Sequence, residues 1–418
     1  MERRVILSAS LAHATTHGLE LTFAALLLRI GIEFGADLAV LGVVTNVGTF
    51  TFGAAALPSG YLSDRFGPSA VMSGCMVAAA VFAAMVALSP TLPVLAVSLA
   101  LLGAAIGLYH PAGVALVSTV RERRGLAYAV HGIAGNTGVA LAPAVGIGIA
   151  ILAGWRASYL ALVVMALVVG LIVWRIAPTG EEAARAMAES GGGSRDGANG
   201  MPRTAPPVQR GWLTTPMLLI FLASVCFGFI YRGTLTFFAA HLEENLGLSF
   251  FGWSPEGIAG AVLTIVLLSA IPGQAFGGAL SDRIPVERAA LPIVLMNPLM
   301  LVLMASSSGF VLIFAAVGFV ATNFSQQPIL NGLIADYAPE GAAGRAFGFS
   351  FFATFGLGSF AGSAAGIVAD RSGTEPMFLM LAVVGVGMAA SMIAVSHGAE
   401  GRRRAIMEAR TGGVAAGS

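Results

Sequence analysis

A chain of 418 residues in which 57% are hydrophobic and only 10% are charged is not an ordinary soluble protein, because soluble domains carry about 25% charged residues. Its 22 basic residues, all of them arginine, are balanced by 21 acidic residues, which argues against a nucleic-acid partner. Two cysteines in distant apolar segments, Cys75 and Cys226, support neither a disulfide framework nor a zinc site.

Apolar segments long enough to cross about 30 Å of hydrocarbon recur along the chain. The first six lie near residues 6–28, 38–62, 69–89, 92–118, 125–153 and 155–177. The next six lie near residues 214–240, 256–281, 289–307, 309–334, 344–369 and 375–396. The sequence therefore predicts an all-α membrane protein with twelve transmembrane helices, whose first helix is retained rather than cleaved as a signal peptide.

Residues 178–213 separate the two sets of six, and their glycine, proline and charged residues are typical of a flexible linker. The predicted units are a bundle over 1–177, a cytoplasmic linker over 178–213, a bundle over 214–400 and a cytoplasmic tail over 401–418. With both termini and the linker in the cytoplasm, 18 of the 22 arginines face that side, as expected for a multi-pass protein of the inner or plasma membrane. One chain then holds a whole transport unit, so we expect a functional monomer.

The segment after the second predicted helix reads Gly-Tyr-Leu-Ser-Asp-Arg-Phe-Gly, and a shorter copy follows the eighth helix. This repeated segment resembles the signature loop of the major facilitator superfamily, whose members carry solutes across membranes through two six-helix repeats. The resemblance implies that this loop gates the cytoplasmic side without touching the substrate. The residues that match the gating motif are Gly60, Asp64, Arg65, Gly67, Asp282 and Arg283.

Two further segments narrow the resemblance. Gly138, Pro143 and Gly146 in the fifth predicted helix resemble the antiporter motif of exporters in this superfamily, with close helix packing through small residues as the alternative. The His-Pro pair at His110, followed by an Arg-Gly-Leu-Ala helix start, is similar to the fosmidomycin-resistance type of drug exporter. That resemblance implies proton-driven efflux of a small compound.

Charged side chains at bilayer depth cost about 2.5–3.5 kcal/mol each and need a reason to be there. Glu20 in the first helix is a candidate proton carrier, and Arg232 in the seventh can bind an anionic substrate group. The alternative is a structural ion pair of these residues with each other or with other partners. Histidine titrates near neutral pH, so His17 and His131 are also predicted to take part in proton coupling.

Other polar side chains indicate where a substrate would bind. Tyr109 and His110 precede a proline that can kink the fourth helix. Asn323, Gln327 and Asn331 recur every four positions and share one face of the tenth helix. Hydrogen bonding between helices is the competing interpretation of that face.

The predicted function is secondary active transport by alternating access. The chain lacks lysine, which excludes a P-loop ATP motor, and we expect no enzymatic activity, no cofactor and no metal. Proton-coupled export of a small drug or metabolite is the leading hypothesis. Proton-coupled uptake of a small organic anion, and a non-transporting receptor or assembly factor on the same fold, are the alternatives.

Overall fold

The computed structural model describes residues 2–117, 119–120, 124–179, 182, 213–250, 252–338 and 343–415, and these are helical with short connections. The first bundle comprises α1 (Glu2–Ala25, continued by Leu27–Phe34), α2 (Leu38–Phe66), α3 (Pro68–Ala87), α4 (Leu92–Gly107 and Tyr109–Val117), α5 (Arg124–Ala153) and α6 (Trp155–Ile176). The second bundle comprises α7 (Thr215–Asn245), α8 (Pro255–Leu268 and Ala270–Arg283), α9 (Val286–Ala305), α10 (Gly309–Tyr337), α11 (Ala343–Phe351 and Ala361–Ser372) and α12 (Thr374–Ala415). Most of the predicted linker lies outside the described residues.

Helices α2 to α12 are each long and apolar enough to cross a membrane in the described part of the chain. Helix α1 reaches a similar length but is more polar, and many of its polar side chains, His13 and His17 among them, are buried. It packs against α5 and α6. A polar helix of this kind is stable in a membrane only where other helices shield it from lipid.

The predicted loop after the second helix is mostly helical. Helix α2 continues through Phe66, and Gly67 alone makes the turn into α3, with φ of 84° and its N–H donating to the carbonyl of Ser63. Such a positive φ favours glycine. Helix α8 likewise continues to Arg283. The polar residues that ended the predicted spans simply carry these helices beyond the hydrocarbon.

We call the two ends of the protein the linker end, where α2 ends, and the far end, where α2 begins. The two bundles meet closely at the far end. A Cβ on Gly42 of α2 would lie 2.2 Å from the carbonyl oxygen of Gly362 in α11, and a Cβ on Gly366 would lie 2.5 Å from that of Leu38. Nearer the middle, a Cβ on Gly53 would lie 2.2 Å from the backbone nitrogen of Gly356. Glycine is required at these crossings because the backbones touch.

Polar contacts at the far end join the end of α1 to α6. Glu33 accepts a hydrogen bond of 2.5 Å from the indole Nε1 of Trp155 and pairs with Arg156. Arg156 also donates to the carbonyl of Ser89 over 3.1 Å and lies 4.4 Å from the Trp155 ring centre. These contacts agree with the interfacial anchoring that an arginine beside a tryptophan predicts.

Glu33→Gln should lower stability only slightly, by about 1 kcal/mol or less, because exposed ion pairs contribute little. Partial burial raises the pKa of Glu33, but hydrogen bonds from Arg156 and Trp155 outweigh it and hold that pKa below its ordinary value. The contribution is therefore present at neutral pH and is lost as the pH falls through the lowered pKa. Thermal unfolding of both proteins at pH 7 and pH 3 tests this, and a difference that grows at pH 3 would contradict it.

Candidate functional site

A buried ion pair joins the first helices of the two bundles. Glu20 of α1 and Arg232 of α7 are in direct contact, and their side chains are only 3% and 4% exposed. The guanidinium carbon of Arg232 lies 5.4 to 5.6 Å from the ring centres of Phe52, Tyr231 and Phe355. Cation–π attraction from three rings helps to stabilise the buried cation. The structural ion pair that the sequence offered as an alternative is therefore present.

The ion pair forms one wall of a cavity between α1, α2, α4 and α7. Besides the pair, the polar side chains that line it are three threonines, and each hydroxyl donates to its own helix. Thr45 donates to the carbonyl of Leu41, and Thr236 to that of Arg232. Because these protons are already engaged, Arg232 is the strong donor that the described lining offers to a solute.

A chain of polar contacts runs from the ion pair along α1. The ring Nδ1 of His17 lies 2.5 Å from Glu20 Oε2, and its Nε2 lies 3.2 Å from Nε2 of His13. Nδ1 of His13 lies 2.8 Å from the carbonyl oxygen of His131 in α5. The rings of His13 and His131 stack with centres 4.1 Å apart. Glu20, His17 and His131, the residues predicted for proton coupling, are thus brought together.

Helix α4 brings Tyr109 and His110 to the same cluster. The Tyr109 hydroxyl donates to the carbonyl of Ala9 over 2.5 Å, so this buried residue ties α4 to α1. The ring centre of His110 lies 5.1 Å from those of both His13 and His17. Neither Tyr109 nor His110 lines the cavity. Their predicted contact with substrate stays a prediction.

Three of these histidines bring ring nitrogens close together. One ring nitrogen from each of His13, His17 and His110 can be chosen so that all three lie within 4.8 Å of one another. The sequence predicts other roles for His17 and His110 and none for His13. The signal available in the sequence was the spacing of His13 and His17, four residues apart on one helix face.

The polar residues predicted on α10 do not share one environment. Asn323 is 1% exposed and its amide has no described hydrogen-bond partner, whereas Asn331 is exposed. Gln327 accepts a long hydrogen bond of 3.4 Å from Gln274 of α8, which accepts one of 2.5 Å from Asn136 of α5. Gln327 therefore belongs to a link between the two bundles, and Asn331 lies apart from the cavity.

The antiporter-like segment packs α5 on α1. A Cβ on Gly138 would lie 2.2 Å from the carbonyl oxygen of Ala14, and one on Gly146 would lie 3.6 Å from Thr22. Pro143 is buried between them. These distances describe close helix packing through small residues, the alternative interpretation of this segment.

The predicted gating residues lie at the linker end. Arg65 is exposed, and its guanidinium donates over 3.4 Å to the hydroxyl of Tyr61 in the same helix. Arg283 is also exposed. The side chains of Asp64 and Asp282 and the surroundings of Gly60 lie outside the described part, so the gating role stays a prediction.

Comparisons with known proteins identify the family. The sequence pattern of the Major Facilitator Superfamily matches residues 9–363. The chain belongs to the Major Facilitator Superfamily. No protein with a curated description matches the sequence.

Solved structures of the superfamily share the fold. A bacterial homologue of the human lysosomal transporter Spinster, inward-facing and occupied, is 14% identical with a TM-score of 0.73, covering 94% of this chain and 96% of its own. The peptide transporter POT with sulfate is 13% identical with a TM-score of 0.74, covering 94% of each chain. A mutant of the nucleoside transporter NupG is 15% identical with a TM-score of 0.73, covering 94% and 99%.

These likenesses confirm the predicted fold, an all-α membrane protein of twelve helices in two repeats. At such low sequence identity these likenesses show the fold, and the transported solute must be inferred from the site itself. Membership of the Major Facilitator Superfamily indicates a multi-pass transporter rather than an enzyme. The narrower resemblance to fosmidomycin-resistance exporters stays a prediction.

Proposed function

We propose that this protein is a secondary transporter of small organic anions that works by alternating access. The observation that carries the proposal is the buried Glu20–Arg232 pair, which joins the two bundles at the wall of the cavity. An arginine is well suited to bind a carboxylate, phosphonate or similar group through two parallel hydrogen bonds. A solute anion that enters the cavity would compete with Glu20 for this cation.

The site has a second hydrogen-bond partner for the displaced carboxylate. One oxygen of Glu20 faces Arg232 and the other accepts from His17. When a solute takes the place of Glu20 on Arg232, the bond to His17 keeps the carboxylate from being left without a partner, which would be costly in a buried site. Solute binding then replaces a contact between the bundles with a contact to the solute.

This exchange gives the solute a way to favour a different arrangement of the bundles. A ligand shifts a conformational equilibrium only if it binds the two states with different affinity. The ion pair stabilises the arrangement in which Glu20 and Arg232 touch, and an anion on Arg232 removes that contribution. The apolar remainder of the cavity, with Phe52 and Leu235 in its lining, suits a solute with an apolar body.

Export is the direction we propose, with the linker end facing the cytoplasm of an inner or plasma membrane. The resemblance of Gly138, Pro143 and Gly146 to the antiporter motif of exporters supports it. The arginine distribution supports the orientation. Proton coupling through Glu20, His17 and His131 stays a prediction from the sequence.

Counterflow in proteoliposomes tests the proposal, with a panel of small organic anions and neutral analogues of the same shape. We expect exchange of anions but not of neutral analogues, and at least a tenfold loss in Arg232→Lys, since lysine lacks the planar fork. Arg371→Lys, an exposed substitution at the far end, is the matched control. Preferred exchange of neutral analogues, or unchanged exchange in Arg232→Lys, would refute the anion site. Comparing net efflux with net uptake of the anion under an imposed proton gradient gives the direction of transport. Proton movement, followed with a pH-sensitive dye, shows whether transport is coupled to protons.

A further inference from the structure

We infer that His13, His17 and His110 form a binding site for a divalent first-row transition metal ion of the Zn²⁺ type. The site lies in the first bundle, between α1 and α4, and is separate from the solute cavity. None of its three histidines lines that cavity. The inference does not depend on the proposed anion transport.

The distance between the first two ligands fits one ion. His13 and His17 lie four residues apart on α1, and their Nε2 atoms are 3.2 Å apart. In a tetrahedral zinc site with Zn–N bonds of about 2.0–2.1 Å, two ligand nitrogens stand about 3.3–3.4 Å from each other. Two histidines one helical turn apart are a recurrent way to present such a pair.

The other nitrogen of each ring fixes which atom is free to bind. Nδ1 of His13 faces the carbonyl oxygen of His131, and Nδ1 of His17 faces the carboxylate of Glu20. Both partners are hydrogen-bond acceptors, so each Nδ1 carries the hydrogen and each neutral ring points its Nε2 lone pair at the other. Metal-bound histidines characteristically donate their second N–H to a carboxylate or a backbone carbonyl. Both arrangements are present here.

The third histidine argues for a metal ion rather than a shared proton. His110 lies beside the pair on α4, with a ring nitrogen within 4.8 Å of theirs, and its buried Nε2 has no described hydrogen-bond partner. Its ring would move closer to the pair when all three nitrogens bind one ion. A proton held between His13 and His17 would leave that atom unsatisfied, at a cost in a buried site. A metal ion accepts electron pairs from all three rings and leaves a fourth position for water or a small anion.

The ligand type selects the kind of ion. Neutral imidazole favours zinc, copper, nickel and cobalt, whereas magnesium and calcium require oxygen ligands. Within the described residues the charges in contact with the cluster are Glu20, hydrogen-bonded to His17, and Arg232 beyond it. A bound ion would tie α1 to α4 and draw the Glu20 carboxylate toward His17.

Metal binding by the full-length protein tests the site directly. The protein is purified in detergent without a polyhistidine tag and stripped of metal with a chelator. It is then titrated with Co²⁺, whose visible absorption reports the coordination geometry. Bound Zn²⁺ is counted by elemental analysis. We expect one ion per chain and an intense tetrahedral-type Co²⁺ spectrum that an excess of Mg²⁺ leaves unchanged. A wild-type protein that binds no Zn²⁺ or Co²⁺, or gives only the weak spectrum of an octahedral ion, would overturn the assignment.

Histidine variants locate the bound ion. His17→Gln and His110→Gln should each weaken metal binding at least a hundredfold. Each variant is used only if its elution profile matches that of the wild type. His397→Gln removes an exposed histidine of α12 and should bind as the wild type does. Binding that survives in both cluster variants but falls in His397→Gln would place the ion elsewhere and refute the site. These readouts do not involve transport, so they stand or fall independently of the solute.

Discussion

Arg232→Met alone should lower the free energy of unfolding by about 3–5 kcal/mol, because it leaves the Glu20 carboxylate buried without its cation. Glu20→Gln should have a smaller effect, since the neutral amide keeps the shape and some hydrogen bonding. The double variant should be more stable than Arg232→Met alone. Replacing both members of a buried ion pair by uncharged groups often changes the free energy of unfolding little, whereas removing one partner lowers it strongly.

Unfolding by SDS in mixed micelles measures these differences, and the double-mutant cycle gives the coupling between the two residues. We expect a coupling of about 2 kcal/mol or more, within the range of contacting buried groups. The control is Arg175→Met at the end of α6, where the arginine is exposed and lies 5.1 Å from the Trp174 ring centre. Additive effects of Glu20→Gln and Arg232→Met would show that the pair is not energetically coupled.

Gly42→Val should force the two bundles apart at the far end. Any Cβ at this position lies 2.2 Å from the carbonyl oxygen of Gly362 and 3.1 Å from the Cα of Gly366, and both contacts are with backbone that cannot rotate away. Close packing through small residues is what holds these helices together in a membrane. The variant should therefore favour a conformation in which α2 and α11 separate, and transport that needs the closed far end should fall at least tenfold.

Distances between spin labels at Ile32 and Arg371, both exposed, report this opening. The labels are introduced after Cys75 and Cys226 are replaced by alanine. We expect a longer and broader distance distribution in Gly42→Val than in the parent protein. Gly387→Val on α12 is the matched control, because a Cβ there meets no atom within 4 Å. An unchanged distribution in Gly42→Val would show that the α2–α11 crossing tolerates a side chain.

The order and number of helices follow from the sequence because lipid imposes a simple requirement. Each crossing needs about 20 apolar residues, and backbone polar groups must be satisfied within the helix. Hydropathy alone therefore locates the apolar, membrane-crossing parts of α2 to α12 to within a few residues. It locates the helix ends less well, as at Gly60–Phe66, since a helix can continue into water at little cost.

The sequence also singles out Glu20 and Arg232, because a charge at bilayer depth is expensive wherever its helix lies. The sequence allows two interpretations of these residues, either a site for protons and substrate or a structural ion pair. Only the packing of α1 against α7 shows that the two residues touch. Contact between residues more than 200 positions apart depends on how helices are arranged, which hydropathy does not encode.

Tertiary structure alone assembled the histidine cluster and divided the polar face of α10. The sequence shows His13 four residues before His17, but the cluster forms only because α4 brings His110 and α5 brings His131 to these rings. Asn323 and Asn331 share a helix face in the sequence, but neighbouring helices cover only Asn323. The sequence determines which segments are helices in lipid, because that depends on local composition. Which side chains meet depends on the close approach of backbones at glycines such as Gly42 and Gly138, and this is decided only when the helices pack against one another.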